Sequence, residues 1–271
     1  MIIRQPTVSG HFYAADPQKL KAQILSFLPK KRGLQEPVLG MVVPHSGYQY
    51  CGKILAATYQ RVQIPETIII LGPNHSGKGE TMSIFPRGIW QTPLGDVAVE
   101  TKLAVEIQLN AQELKENPES HVSEHAIEVQ LPMLQYFAKK KFSIVPISIS
   151  VQKDVSIGVE LGYAIARAVS SLNRTVTIIA TTDLTQDESQ EMANRKDQRI
   201  INSILRLEPQ EVIITMRRYG AKVCGNAAVV AMLTAVKELG ASQAELVQYG
   251  TSGDVTGDYS KVWGFAGILI K

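Results

Sequence analysis

Residues 67–77 read TIIILGPNHSG and join a buried strand directly to a polar turn that carries His75. The first five residues are apolar and mostly β-branched, which is typical of a strand buried on both faces of a sheet. Three further runs have the same character and also end at polar or turn residues. They span residues 38–43 (VLGMVV), 143–150 (SIVPISIS) and 175–181 (TVTIIAT).

Segments with apolar residues at helical spacing alternate with these runs. The predicted helices span residues 52–61, 102–109, 124–139, 157–171, 189–207 and 227–239, and two late strands span residues 243–249 and 262–270. Strands alternating with helices predict a single-domain α/β/α sandwich, in which two helical layers cover a mostly parallel or mixed central sheet. No repeat, low-complexity segment or charge block interrupts the pattern, so we expect one domain over residues 1–271.

The composition excludes several classes of protein. The 28 Lys and Arg residues against 25 Asp and Glu residues give a net charge of +3 over 271 residues, which does not indicate a nucleic-acid-binding protein. The apolar runs are far shorter than the ~20 residues of a membrane-spanning helix. The first ten residues lack the apolar segment of a secretory signal. With only two Cys residues, we expect a reduced, cytoplasmic protein.

Reactive side chains follow the ends of three predicted strands, where open α/β sheets bind their ligands. His45 follows the strand over residues 38–43, and His75 follows the strand over residues 67–71. A Gly stands two residues after each His and lets the backbone come close to a bound group. If the two strands are neighbours, they lie ~5 Å apart and both imidazoles can reach one metal ion. Alternatively, each His caps a helix or binds a backbone carbonyl.

His121 and His125 are four residues apart, so on a helix they would share a face and could chelate a metal ion. However, Ser123 before Glu124 resembles a helix start, which would leave His121 outside the helix. Either His could instead be a capping group or support another ligand. Glu124 and Glu128 have the same spacing and would suit the dipole of a first helical turn.

Cys224 lies just before the helix predicted from residue 227. A helix N-terminus lowers the pKa of a thiol and favours the thiolate that binds metals. Alternatively, Cys224 is a small buried hydrophobic residue, as free Cys often is. Cys51 also lies at a predicted helix start, but no other residue in the sequence pattern pairs with it. The loop over residues 249–259 (YGTSGDVTGDY) is rich in glycine and polar residues and could line a pocket.

Six motifs in this order resemble those of the MEMO family, whose bacterial and archaeal members are called AmmeMemoRadiSam system protein B. They are residues 43–48 (VPHSGY), 71–75 (LGPNH), 124–132 (EHAIEVQLP), 182–184 (TDL), 224–225 (CG) and 252–258 (SGDVTGD). The resemblance runs from about residue 10 to the C-terminus. It implies a fold similar to the class III extradiol dioxygenases, the LigB-like group. There, two His and a carboxylate hold non-haem Fe(II), and another His acts as acid and base.

Carried over by position, the resemblance implies that His45, His75 and Cys224 are metal ligands. The expected metal is Fe or Cu, with Zn less favoured and an empty site as the other expectation. The position where most relatives have a further His is Gln186, which cannot transfer a proton at neutral pH. We expect chemistry to involve Gln186, Asp183 and His125. The residues expected to line the pocket are Tyr48, Asn74, His121, Glu124, Ser252 and Asp254.

Three functions remain open. The first is a metal-dependent redox or oxygen-handling enzyme, or a metal carrier. The second is a non-enzymatic binding protein that captures a peptide or small ligand in the cleft, as the description of human relatives as signalling mediators implies. The third is a metal-dependent hydrolase in which Asp183 or Glu124 activates water. The family name also implies association with radical SAM proteins.

Overall fold

The computed structural model describes residues 2–30, 33–151 and 154–271, and these ranges contain eleven strands and ten helices. The strands are β1 Ile3–Arg4, β2 Gly40–Val43, β3 Thr67–Asn74, β4 Met82–Ile84, β5 Ile89–Thr92, β6 Gly95–Val99, β7 Leu114–Glu116, β8 Ser143–Ser150, β9 Val176–Thr181, β10 Ala244–Thr251 and β11 Gly264–Ile270. The helices are α1 Pro17–Ser26, α2 Tyr48–Tyr59, α3 Thr101–Asn110, α4 Glu119–Val122, α5 Gln130–Phe137, α6 Ile157–Ser171, α7 Gln190–Leu205, α8 Pro209–Tyr219, α9 Asn226–Glu238 and α10 Gly253–Thr256.

The strands of the described residues form one mixed sheet in the order β1-β5-β6-β8-β3-β9-β2-β11-β10, with β4 and β7 joined beside β8. Its centre is parallel, because β3 pairs with β8 and β9, and β9 pairs with β2. β11 runs antiparallel to both β2 and β10. The predicted α/β sandwich with a mostly parallel or mixed sheet is confirmed.

Helices cover both faces of the sheet, and each face has its own apolar core. On one face, α3, α6, α7, α8 and α9 pack on side chains such as Ile69, Val145 and Ile178. On the other face, α1, α2 and α5 pack on alternate residues of the same strands, such as Ile68, Ile70 and Ile144. The central strands are buried on both faces because alternate side chains point to opposite helical layers. No helix in the described ranges has the length and apolar character needed to cross a membrane.

Helices α6 and α9 approach each other closely through two glycines of α6. A methyl group on Gly158 would come 2.4 Å from the carbonyl oxygen of Ala227, and one on Gly162 would come 2.6 Å from the carbonyl oxygen of Ala231. Real side chains do not pack this closely, so any larger residue at these two positions would have to push the helices apart. The contact helps to place the start of α9, which directly follows Cys224 and Gly225.

The predicted helix over residues 124–139 is wrong in its first half. The segment before Gln130 is a series of turns, and α5 spans only Gln130–Phe137. The physical reason is that the Glu124 carboxylate accepts hydrogen bonds from the backbone N–H groups of His125 and Ala126, which holds the chain in a turn. His121 lies in the separate four-residue helix α4, so His121 and His125 do not share a helical face.

Several elements were not predicted. Helix α8 begins with Pro209 at its first turn and ends at Gly220 in the left-handed conformation, both ordinary boundary signals. Helix α1 begins after Asp16, whose carboxylate accepts a hydrogen bond from the N–H of Lys19. The short strands β4 to β7 lack a long apolar run and gain their pairing from β8 and from one another.

Candidate functional site

The two strands that end in His residues are separated by a third strand. β9 lies between β2 and β3, so the condition that these two strands are neighbours is not met. Adjacent strands are ~4.8 Å apart, which puts the two strand ends about twice that distance from each other. Nevertheless, the rings of His45 and His75 converge over the end of β9, with centroids 5.1 Å apart.

A third imidazole joins them from the turn before α5. The ring of His125 stacks on that of His75 with centroids 4.9 Å apart, and its centroid is 5.5 Å from that of His45. Each of the three offers one ligand nitrogen, and these atoms lie within 4.8 Å of one another. Three imidazoles at this spacing could hold a metal ion. We call His45, His75 and His125 the histidine cluster.

Glu124 organises two members of the histidine cluster. Its carboxylate accepts the backbone N–H of His75 at 2.7 Å and lies 3.0 Å from Nδ1 of the same imidazole. When Nδ1 donates to this carboxylate, Nε2 of His75 keeps a free lone pair, as in carboxylate–histidine–metal arrangements. Burial opposes ionisation of Glu124, but the hydrogen bond from His75 and the charges of His75 and His125 hold the pKa of the carboxyl at about 2.

His45 is held in place by β9, the strand that lies between β2 and β3. Nδ1 of His45 lies 3.0 Å from Oγ1 of Thr181, the last residue of β9. Its backbone N–H donates to the carboxylate of Asp183, which also accepts from the hydroxyl of Ser46 at 2.6 Å. Gln130 in turn donates its side-chain amide to Thr181 Oγ1 at 2.9 Å. The ring of His45 is therefore fixed with its other nitrogen, Nε2, turned toward the site.

Cys224 adjoins the histidine cluster on the side of His45. Its Sγ lies 3.3 Å from Nε2 of His45 and 3.2 Å from the backbone N of Asp183. The expectation of a lowered thiol pKa is wrong for the metal-free protein. Burial and the neighbouring Asp183 carboxylate raise the pKa of Cys224 to about 12, although hydrogen bonds oppose the shift. The helix N-terminus does not compensate for the loss of hydration.

The histidines differ in exposure to solvent. Burial lowers the pKa of His45 to about 3, and the neighbouring His75 acts in the same direction. Burial likewise lowers the pKa of His125 to about 4. Both imidazoles are therefore neutral at pH 7, which is the form that binds a metal ion. His75 has the most exposed side chain of the three, at 33%.

His121 is fully buried and makes its ring contacts with Phe85 and Trp90 rather than with the histidine cluster. The buried Tyr48 donates its hydroxyl to the carbonyl of Val129, which fastens α2 to the turn before α5.

Asn74 shapes the turn that carries His75, because its Oδ1 accepts from the Ser76 hydroxyl and the Gly77 N–H. Asp254 closes the start of α10 by accepting the N–H of Thr251. Cys51 is buried at α2, where its Sγ contacts the carbonyl of Ser46.

A cleft of about 500 Å³ is lined by residues that neighbour the histidine cluster, such as Phe12 and Ser46, but not by the three histidines themselves. Its lining includes His11, Phe12, Ser46, Tyr50, Ser252 and Trp263. Phe12 connects the cleft to the cluster, because its ring packs edge-on against His125 at 4.9 Å between centroids. Ser252, from the glycine-rich loop, lines the cleft. Gln186 is partly buried just beyond the end of β9.

The residues that the sequence pattern missed are Phe12, Thr181 and Gln130. Phe12 belongs to the stretch GHFY at residues 10–13, where the resemblance to the MEMO family begins. Thr181 stands two residues before Asp183 in the segment TTDLTQ, so its place at the strand end was visible. Gln130 stands in the motif EHAIEVQLP at residues 124–132, but its hydrogen bond to Thr181 was not visible because the two residues are 51 positions apart.

Comparison with known proteins identifies the family of this chain. The family model described as Memo-like protein matches residues 4–269. The chain belongs to the Memo-like family. It is 38% identical over 280 residues to a MEMO1 family protein of Methanopyrus kandleri. It is 41% identical over 286 residues to a MEMO1 family protein of Methanocaldococcus jannaschii. Each alignment covers 99% of both chains.

A solved structure has the same fold at low sequence identity. It is an uncharacterised protein of Escherichia coli K12, which matches with a TM-score of 0.52 at 10% identity and covers 85% of this chain and 98% of its own. This likeness supports the α/β fold. The sequence resemblance to the MEMO family is confirmed by the family model and the curated relatives.

Proposed function

We propose that this Memo-like protein binds one transition-metal ion at the histidine cluster. The observation that carries the proposal is the convergence of one ligand nitrogen from each of His45, His75 and His125 within 4.8 Å. The hydrogen bond between Nδ1 of His75 and Glu124 supports it, because it leaves Nε2 free to bind. A bound ion would act as a redox centre or as a Lewis acid, depending on the metal.

Cys224 fits as a further ligand beside His45. A tetrahedral zinc-like site with bond lengths of 2.0–2.1 Å to nitrogen and 2.3 Å to sulfur places these two donor atoms ~3.5 Å apart. Sγ of Cys224 and Nε2 of His45 are 3.3 Å apart. A metal ion would replace the thiol proton that burial retains in the metal-free protein. Imidazole with thiolate suits Fe, Cu or Zn, and the thiolate favours Cu(I).

The roles of the remaining residues follow from their contacts. Both Asp183 oxygens accept hydrogen bonds, from the backbone N–H of His45 and the hydroxyl of Ser46, so Asp183 holds the backbone of His45 in place. Glu124 is similarly occupied by His75, His125 and Ala126. The four hydrogen bonds from N–H groups fill the acceptor positions of the Glu124 carboxylate, which weakens the hydrolase alternative for Glu124. If Cys224 takes the third metal position, His125 becomes the neutral base that position 186 lacks.

A non-enzymatic binding protein is the second candidate. The cleft of about 500 Å³ beside the histidine cluster has aromatic walls and room for a small ligand or a peptide side chain. Such a ligand would contact Phe12, whose ring in turn packs against His125. Association with radical SAM proteins stays a prediction from the resemblance.

The test is metal loading under anaerobic conditions. We expect purified protein to take up about one equivalent of Fe(II), Cu(I) or Zn(II), measured by elemental analysis after gel filtration. His45→Ala and Cys224→Ala should lose metal, whereas His11→Ala, which removes an imidazole outside the cluster, should keep it. Wild-type metal content in His45→Ala would rule out the proposed site. Full loss in His125→Ala with retention in Cys224→Ala would assign the three-His ligand set.

A further inference from the structure

Arg4 is the most completely hydrogen-bonded cation near the histidine cluster. A guanidinium carries five N–H groups in a fixed planar fork. All five of those in Arg4 have an acceptor within 3.1 Å: the carbonyl oxygens of Gln5, His121 and Glu124, the hydroxyl of Thr7 and the carboxylate of Glu128. Its Cζ also lies 4.3 Å from the ring centroid of Trp90.

Two of these bonds hold the segment that carries Glu124 and His125. Nε of Arg4 donates to the carbonyl of His121 at 2.8 Å, and Nη2 donates to the carbonyl of Glu124 at 2.6 Å. The ion pair of Arg4 with Glu128, at 2.7 Å, ties down the far end of the same turns. Residues 121–128 do not belong to one long helix. Arg4 of β1 therefore supplies hydrogen bonds to backbone carbonyls that a continuous helix would have made internally.

The contacts of Arg4 are connected to two of the imidazoles through Glu124. The backbone of Glu124 is fixed by Arg4, and the carboxylate of Glu124 is fixed by the backbone N–H groups of His75 and Ala126. The same carboxylate sets the ring of His75 through Nδ1 and the turn that presents His125. His45 is oriented separately, by Thr181 and Asp183. Arg4 thus supports the positions of two of the three candidate ligands, His75 and His125.

We infer that Arg4 is a positioning residue for the histidine cluster, acting through Glu124 on His75 and His125. The effect of Arg4 on metal affinity rests on the proposed function. Its effect on the positions of the His75 and His125 rings does not. Lys cannot replace it, because an ammonium has three N–H groups at one point and cannot reach two carbonyls and Glu128 in one plane. The side chain is 1% exposed, so water cannot make up the lost bonds.

The test compares Arg4→Lys with Arg61→Lys. Arg61 is a matched control, because its guanidinium also forms ion pairs, with the carboxylates of Glu36 and Glu245, but at the surface away from the cluster. In the metal-free proteins, the ring signals of isotope-labelled His75 and His125 are recorded by NMR, with His11 as the internal reference. In the loaded proteins, the Co(II) visible spectrum and the metal Kd by chelator competition are measured.

We expect Arg4→Lys to shift the His75 and His125 signals, change the Co(II) spectrum and weaken metal binding about tenfold, as outer contacts of metal ligands do. Arg61→Lys should match the wild type. A folded Arg4→Lys protein with unchanged ring signals would overturn the inference. If the wild-type protein binds no metal, the proposed function fails. The ring signals of the metal-free proteins still test whether Arg4 positions His75 and His125.

A milder variant covers the case in which Arg4→Lys does not fold. Thr7→Ala removes one acceptor of the guanidinium and one donor to Glu128 at an exposed residue. We expect smaller shifts of the same two ring signals. Wild-type signals in Thr7→Ala would then overturn the inference.

Discussion

At the residue scale, Glu124 has the largest effect on the geometry of the candidate site. One carboxylate accepts N–H groups from the turn after β3 and from the turn before α5, and it orients the ring of His75. The residue is buried in the turn before α5, and its carboxylate bridges to the turn after β3, which comes from a distant part of the chain. Its contribution is to bring His75 and His125 together.

We expect Glu124→Gln to weaken metal binding by about 10–100-fold, the range for loss of an outer partner of a ligating His. Gln preserves the shape, but its NH₂ group cannot accept the hydrogen bonds that the second carboxylate oxygen receives. The measurement is metal Kd by chelator competition. Glu119→Gln, an exposed change on the preceding helix α4, serves as the control. Equal affinities in the two variants would contradict this role.

A substitution at Gln186 distinguishes the enzyme hypothesis from the binding-protein hypothesis. Gln186→His would supply the proton acceptor that the resemblance expects at this position. If the protein is a weakened oxygen-handling enzyme, the Fe(II)-loaded variant should consume dioxygen faster than the wild type with a catechol as probe. Gln198→His, on the exposed surface of α7, is the matched control. Identical dioxygen uptake in all three proteins would favour the binding protein.

At the scale of elements, the contact between α6 and α9 is the tightest helical packing that bears on the site. The glycines of α6 allow the backbone of α9 to approach, and α9 begins directly after Cys224 and Gly225. Gly225 itself has no room for a side chain, since a methyl group there would lie 2.4 Å from the carbonyl oxygen of Thr181. Backbone packing therefore sets where Cys224 stands relative to β9.

We expect Gly158→Ala to lower the free energy of unfolding by ~1–3 kcal/mol, because the added methyl group must displace the backbone of α9. Intrinsic helix propensity acts in the opposite direction by up to ~1 kcal/mol. Urea unfolding measures the change. Glu160→Ala, at an exposed position of the same helix, should change stability by less than ~0.5 kcal/mol. A Gly158→Ala protein as stable as the wild type would show that the helices separate without cost.

At the scale of the whole molecule, buried imidazoles link stability to pH. Burial lowers the pKa of His45 and of His121 to about 3, and that of His125 to about 4. The unfolded chain takes up protons on these residues below its ordinary pKa of about 6.5, whereas the folded protein does not. Arg4 lowers the pKa of Glu128 despite the opposing effect of burial, so this pair also loses its stabilising effect in acid.

We therefore expect the free energy of unfolding of the metal-free protein to fall as the pH is lowered from 6.5 to 4. Each buried imidazole contributes about 1.4 kcal/mol per pH unit in that window. His121→Phe and His121→Leu should both show a shallower decrease, because they remove one titrating ring that is away from the cluster. Urea unfolding at several pH values measures the slope. A slope equal to that of the wild type in both variants would contradict the assignment of His121.

Local sequence patterns determined the layered architecture and part of the site. Apolar β-branched runs predicted the central strands, and β8 and α6 have the predicted bounds. The two histidines that follow strand ends were visible because strand length and turn residues are local properties.

Tertiary structure alone decided which groups meet. Strand order placed β9 between β2 and β3, and the Glu124 hydrogen bonds replaced a predicted helical turn with the turns that bring His125 to the cluster. Burial reversed the predicted pKa shift of Cys224. The five histidines were therefore partitioned by contacts between residues distant in the chain: three converge, His121 packs among aromatic rings, and His11 lies at the cleft. Such contacts depend on the energy of the whole fold, which no local period or spacing encodes.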